Sequence, residues 1–220
     1  RFVMKILIVF CLLLIPCFSL AIEMPGVSCH CFSDRTYNPQ KPDLIEPYLL
    51  ATTQNSFLSS VFRVEKREIV QAKMSGTPGD DLVIAYYVSM MGGISADEFL
   101  ERRKGGVSWE QILVAGKGLE VLPEGLGGPW KSEKQISDAI VDTLLVRELG
   151  LDMQEVLSIR RKGADSKEAI LAGFLSVKSG RKIREVYEDV RSKKASWGEL
   201  LLSAGVSPSG IGDEIARMLR

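Results

Sequence analysis

Apolar and polar positions along this chain fall into a pattern that three glycines bring into register. Twelve residues before Gly93, Gly150 and Gly180 stands an acid: Asp81, Asp138 and Glu168. Ten and nine before them come Val83-Ile84, Ile140-Val141 and Ile170-Leu171; six and five before them come Tyr87-Val88, Leu144-Leu145 and Phe174-Leu175. That spacing draws one apolar stripe on a helix, three times over. After each glycine, apolar residues return at plus three, six and seven: Ala96, Phe99, Leu100; Met153, Val156, Leu157; Ile183, Val186, Tyr187. A second, shorter helix is predicted there.

Start signals agree with the stripes. Ser95 with Glu98 and Asp152 with Glu155 have the spacing of a capping box, which Lys182 lacks in the third copy. A third helix opens at Ser108 with Gln111, Asp165 with Glu168, and Ser196 with Glu199; Trp109 and Trp197 follow the cap directly. The third helix of the second copy is also the first helix of the third. The glycines therefore lie 57 (150 − 93) and then 30 (180 − 150) residues apart. The units fall near 81–116, 138–173 and 168–205, with a Gly/Pro loop over 122–131, another cap at Ser132 with Gln135, and a last short helix over 211–219.

Upstream, Leu58, Val61, Phe62, Ile69, Val70 and Met74 predict one amphipathic helix over 55–74. Thr77-Pro78-Gly79-Asp80 offers a capping hydroxyl, a first-turn proline and an acid for the next helix. Residues 22–55 carry Pro25, Pro39, Pro42 and Pro47 without helical period and read as an irregular arm. No stretch alternates with period two. The expected fold is all-α, an irregular helical repeat forming an α-superhelix or compact bundle over 56–220.

Lys5, the apolar run from Ile6 to Pro16 and the small residues Ser19-Leu20-Ala21 read as a signal peptide over 1–21, with Met4 the expected start. That places the protein in the periplasm or outside the cell. Charge is balanced at 28 basic and 28 acidic residues, and 26 against 28 once Arg1 and Lys5 leave with the leader. Bulk charge therefore points to neither nucleic acid nor membrane, and no span is expected after cleavage.

Chemistry concentrates in the arm. Cys29-His30-Cys31 holds the single histidine and the two cysteines outside the leader. In an exported chain the pair reads as a Cys29–Cys31 disulfide. Two thiolates and an imidazole also suit zinc or copper, although neighbouring side chains of an extended arm point to opposite sides. No catalytic set is expected, since any histidine-based triad would have to use His30.

The clusters Arg102-Arg103-Lys104, Arg160-Arg161-Lys162 and Arg191 with Lys193-Lys194 read chiefly as complements to helix C-terminal dipoles, and alternatively as a positive ridge. Trp109 and Trp197 read as core. The run from Arg191 through Ser196-Trp197 to Ala204-Gly205-Val206-Ser207 resembles helix-turn-helix domains. It also resembles repeats of secreted bacterial proteins with a basic turn and a Ser-Trp helix start. The first resemblance implies a recognition helix over 208–217, where Gly210, Gly212, Asp213 and Glu214 stand in place of groove-reading side chains. The expected function is an exported, non-enzymatic helical protein that binds a partner, a protein or envelope component, or organises the cell envelope. The alternatives are metal or thiol-redox chemistry at Cys29 and Cys31, and DNA binding.

Overall fold

The computed structural model describes residues 35–115, 122–123 and 132–220. Among them stand eleven α-helices and no strand, so the fold is all-α. A 3-10 turn at Pro42–Ile45 leads straight into α1, Glu46–Phe62. Part of the expected arm is therefore helix. Pro47 is tolerated because a first-turn N–H has no intrahelical partner to lose. The polar run Thr52-Thr53-Gln54-Asn55-Ser56, which hides the helical period, is wholly buried.

Helix α1 ends at Arg63, in the left-handed region at φ 56°, and α2 spans Lys66–Met74. The one helix expected over 55–74 is thus two. Next come α3, Gly79–Gly92; α4, Ala96–Lys104; and α5, Trp109–Ala115. After the interruption stand α6, Glu133–Leu149; α7, Met153–Arg161; α8, Ser166–Ser179; and α9, Ile183–Arg191. Helices α10, Trp197–Ser203, and α11, Ile211–Met218, complete the order. Thr77 does not cap α3, whose N-cap is Pro78 and makes no side-chain bond.

The predicted caps hold elsewhere. Ser132, Asp165 and Ser196 each form a complete capping box with the residue three further on. Ser95 and Asp152 accept from the N–H of Glu98 and Glu155, and Lys182 makes no cap bond.

Moving the bounds of α1 to α4 by 87 positions (133 − 46) lands on the bounds of α6 to α9 at both ends of all four helices. The fifth helix follows at 88 (197 − 109), one residue having been added in the turn before Trp197. Left-handed residues coincide as well: Arg63 with Gly150, Gly76 with Gly163, Gly93 with Gly180, and Gly106 with Lys193. The three expected units are therefore four, arranged as two five-helix halves. The first copy escapes an alignment on glycine because Arg63 stands where the others have Gly.

The four long helices form the centre. Helix α1 packs on α8 and α3 on α6, while α1 also meets α3 and α6 meets α8. Exchanging the halves turns the α1–α8 contact into α6–α3, so the halves meet reciprocally, as subunits do across a two-fold axis. The short helices α4 and α9 pack on α3 and α8, and α7 covers α6.

Volume is exchanged between the halves at equivalent places. In the first, the Tyr86 ring stacks on Phe62 at 5.7 Å. In the second, Gly173 replaces Tyr86, and a Cβ there would stand 3.0 Å from Leu151 and 3.4 Å from Leu149. There Leu149 stands for Phe62 and Leu151 for Val64, and both leucines close on the space beside Gly173. The N-terminal segment is tied back: Tyr37 lies so close to Gly198 that a Cβ would meet its ring at 2.4 Å.

Candidate functional site

Cys29, His30 and Cys31 lie outside the described residues. Among the described residues, no group of three His, Cys, Asp or Glu side chains could hold a metal ion. Trp109 and Trp197 are core, each 2% exposed.

The basic clusters resolve into two kinds of group. The residue ten places after the left-handed cap turns inward in three copies and clamps the short helix to the long one. In the first copy, Lys73 Nζ donates to Gln54 Oε1 at 2.9 Å and Asn55 Oδ1 at 2.6 Å. Burial pulls this ammonium down to about 8, with Lys167 adding to the effect. In the second, Arg103 Nε faces Asp81 Oδ1 at 3.3 Å and Nη1 donates to the Val107 carbonyl at 3.0 Å. Trp109 Nε1 donates to the same Asp81 oxygen at 2.6 Å.

The third clamp is the fullest. Arg160 Nη2 meets Asp142 Oδ1 at 2.7 Å, Nη1 donates to the Ala164 carbonyl at 3.1 Å, and Nη2 reaches Ser166 Oγ at 3.1 Å. Burial raises Asp142 above the usual carboxylate range, against the pull of Arg160. Burial also pushes Asp138 upward, but hydrogen bonds from Lys134 and Ser166 and the charge of Arg160 bring it below its ordinary value. A cleft of about 430 Å³ opens beside this cluster. Because the inward cation recurs where the fold recurs, its role is architectural. Of the other cations, Arg102 pairs with Glu98 at 2.5 Å, Lys104 with Glu101 at 2.6 Å and Lys162 with Glu188, while Arg161, Lys193 and Lys194 are exposed and make no ion pair among the described residues.

The stretch resembling a helix-turn-helix uses its last helix for packing. Helix α11 lies on α1 with Ile211 and Ile215 buried, and Lys178 ties Glu214 to α8 at 3.0 Å.

A second cleft, about 330 Å³, gathers the C-terminal ends of α1, α3 and α6. Its lining includes both members of two equivalent pairs, Ser60 with Arg147 and Val61 with Glu148, so it straddles the relation between the halves. Arg63 and Arg147 stand where the helix ends carry partial negative charge. Met90 lines the same cleft at 39% exposure, and its equivalent, Val177, is 40% exposed. Val114 and its equivalent, Leu202, are exposed in the same way on α5 and α10. Single exposed apolar residues are ordinary; the same position left uncovered in two diverged halves is the notable feature. Sequence periodicity missed these residues because they fall outside the stripes it measures.

Compared with family models, curated proteins and solved structures, the chain matches none.

Proposed function

We propose that this chain is an exported, non-catalytic helical scaffold that binds a partner protein of the cell envelope. The observation that carries the reading is the paired exposure of apolar side chains, Met90 with Val177 and Val114 with Leu202, across the two halves. Exposed apolar side chains mark contact surfaces when they form patches, and here it is their recurrence at the same place in both halves that supports such a use. The apolar leader ending in Ser19-Leu20-Ala21 supports export. No helix among the described residues is long and apolar enough to cross a membrane.

The reciprocal arrangement of the halves offers such a partner two equivalent places. Photo-crosslinking from Val114 and from Leu202 in cells that make the protein tests this. The expected outcome is one shared crosslinked partner from both positions and none from the exposed Arg161 on α7. Val114→Lys and Leu202→Lys should each weaken that capture and together abolish it. Identical products from Arg161, or capture indifferent to both substitutions, would overturn the reading.

A further inference from the structure

The cleft between α1, the start of α2 and the first turn of α11 is built from groups that the duplicated half does without. It encloses about 310 Å³ and is walled by Arg35, Thr52, Lys66, Ser209, Gly212 and Asp213. That size falls within the range of small-ligand sites.

Two of its groups lack partners. Lys66 is half-buried and makes no hydrogen bond or ion pair among the described residues. Burial lowers its affinity for a proton, Asp213 opposes that in part, and Arg35 adds to it. Thr52 is 3% exposed, and its Oγ1 has no hydrogen-bond partner among the described residues. A buried hydroxyl left unsatisfied carries a free-energy cost that a bound acceptor would relieve, and the half-buried Lys66 ammonium stands beside it as a further donor.

The cleft is also shaped for close approach. A Cβ on Gly212 would stand 3.1 Å from Ser56 Oγ and 3.4 Å from Lys66 Nζ, so glycine lets the first turn of α11 come down on these donors. Ser56 Oγ is likewise unpartnered. Helix α11, eight residues long, follows a 3-10 turn at Pro208–Gly210; its N-cap Gly210 makes no side-chain bond, and its N-terminal end carries partial positive charge. Arg35, set over the Tyr48 ring at 5.8 Å, supplies a second cation.

The second half serves as an internal control. Moved by 87 positions, Thr52 becomes Ala139, Ser56 becomes Thr143 and Lys66 becomes Met153. There Thr143 Oγ1 satisfies itself on the Ala139 carbonyl at 2.9 Å. At these equivalent positions the second half therefore has neither the ammonium nor an orphaned hydroxyl, although Ser137 Oγ elsewhere on α6 is unpartnered as well.

We propose that this cleft binds a phosphate-type oxyanion, either inorganic phosphate or a small phosphomonoester. Lys66 and Thr52 donate to its oxygens, and Asp213 accepts the ligand's own proton. The carboxylate selects the chemistry. Beside Asp213 a fully ionised oxyanion is repelled, whereas one with a protonated oxygen donates a hydrogen bond to it. Hydrogen phosphate carries that proton near neutral pH, a monoester carries it only in its minor monoanionic form because its second pKa is about 6, and sulfate does not carry it.

Calorimetric titration of the full chain with inorganic phosphate, glycerol phosphate and sulfate tests the proposal. Phosphate or its ester should bind, with sulfate weaker by roughly tenfold or more. Lys66→Met and Thr52→Ala install the residues of the equivalent positions and should leave the circular dichroism and melting temperature near those of the wild type. Lys66→Met should weaken phosphate binding by roughly tenfold or more, and Thr52→Ala by about fivefold. Asp213→Asn, at an exposed site, should erase the preference for phosphate over sulfate, a readout that survives if Lys66→Met fails to fold. Tighter binding of glycerol phosphate than of phosphate identifies an ester as the ligand, and the reverse identifies the free ion. Absence of phosphate binding at millimolar concentration, unchanged affinity in folded Lys66→Met, or equal binding of sulfate by the wild type would overturn the proposal.

Discussion

Residues 46–115 and 133–203 form the same five helices, yet they hold them together with different chemistry. At the position that clamps α2 to α1, the first half uses Lys73 with the neutral amides of Gln54 and Asn55. At the equivalent position the second half uses Arg160 with the carboxylate of Asp142. A guanidinium stays charged under any buried circumstance, whereas a lysine without a counter-charge sheds proton affinity. What the halves share is therefore geometry: a cation spanning two helices. The charge balance at that place was free to vary, and each half is internally consistent.

The largest expected effect tests that contrast directly. Arg160→Ala strands Asp142 in the interior and should cost about 3–5 kcal/mol in denaturant unfolding. Lys73→Ala leaves only amides unsatisfied and should cost about 1–3 kcal/mol. Equal losses would break the distinction between the two clamps.

Next comes a pH dependence peculiar to the first half. Lys73 holds its proton with a value of about 8 in the fold, below its ordinary 10.5. Between these values the unfolded chain binds more protons than the folded one, so stability should rise with pH across that window. Below pH 8 both states are protonated and the full burial cost remains. The gain, relative to Lys73→Met measured in parallel, should be about 2–3 kcal/mol at most. Asn55→Asp copies the second half and should flatten that rise by restoring a counter-charge.

Smaller effects come from the turns. Arg63 occupies a left-handed cap where the three equivalent positions are glycine. Arg63→Gly should raise stability by about 0.5–1 kcal/mol, because a side chain in that conformation is strained. Lys182→Ser provides the missing cap of α9 opposite Glu185 and should add about 0.5–1 kcal/mol. A loss in either variant would mean that the side chain removed has a contact beyond the repeat's own logic.

Much of the helical detail was legible in the chain. Ser132, Asp165 and Ser196 announce helix starts because a capping box is a contact over three residues. The apolar stripes after Gly79 announce the long helices, because their cores are aliphatic. Helix α1 fails the same test for a definite reason: Thr52 to Ser56 are polar and yet buried, so period and burial part company there. The basic clusters were visible as charge, but nothing local separates Arg160, which turns inward, from Arg161, which stays exposed. Cys29, His30 and Cys31, the sharpest chemical signal in the sequence, fall outside the described residues.

Helix starts, the shared long helix of successive copies and the tryptophans' place in the core follow from short-range pattern, since each depends on residues within a turn or two. The fourth copy, the 87-residue duplication and the Lys66 cleft do not. Lys66 and Gly212 are far apart in sequence and meet only because α11 packs on α1. The orphaned hydroxyl of Thr52 is an absence of partners, which only a packed interior can create. Local periodicity specifies which face of each helix seeks burial; the assembled halves decide which polar groups are left without a partner inside.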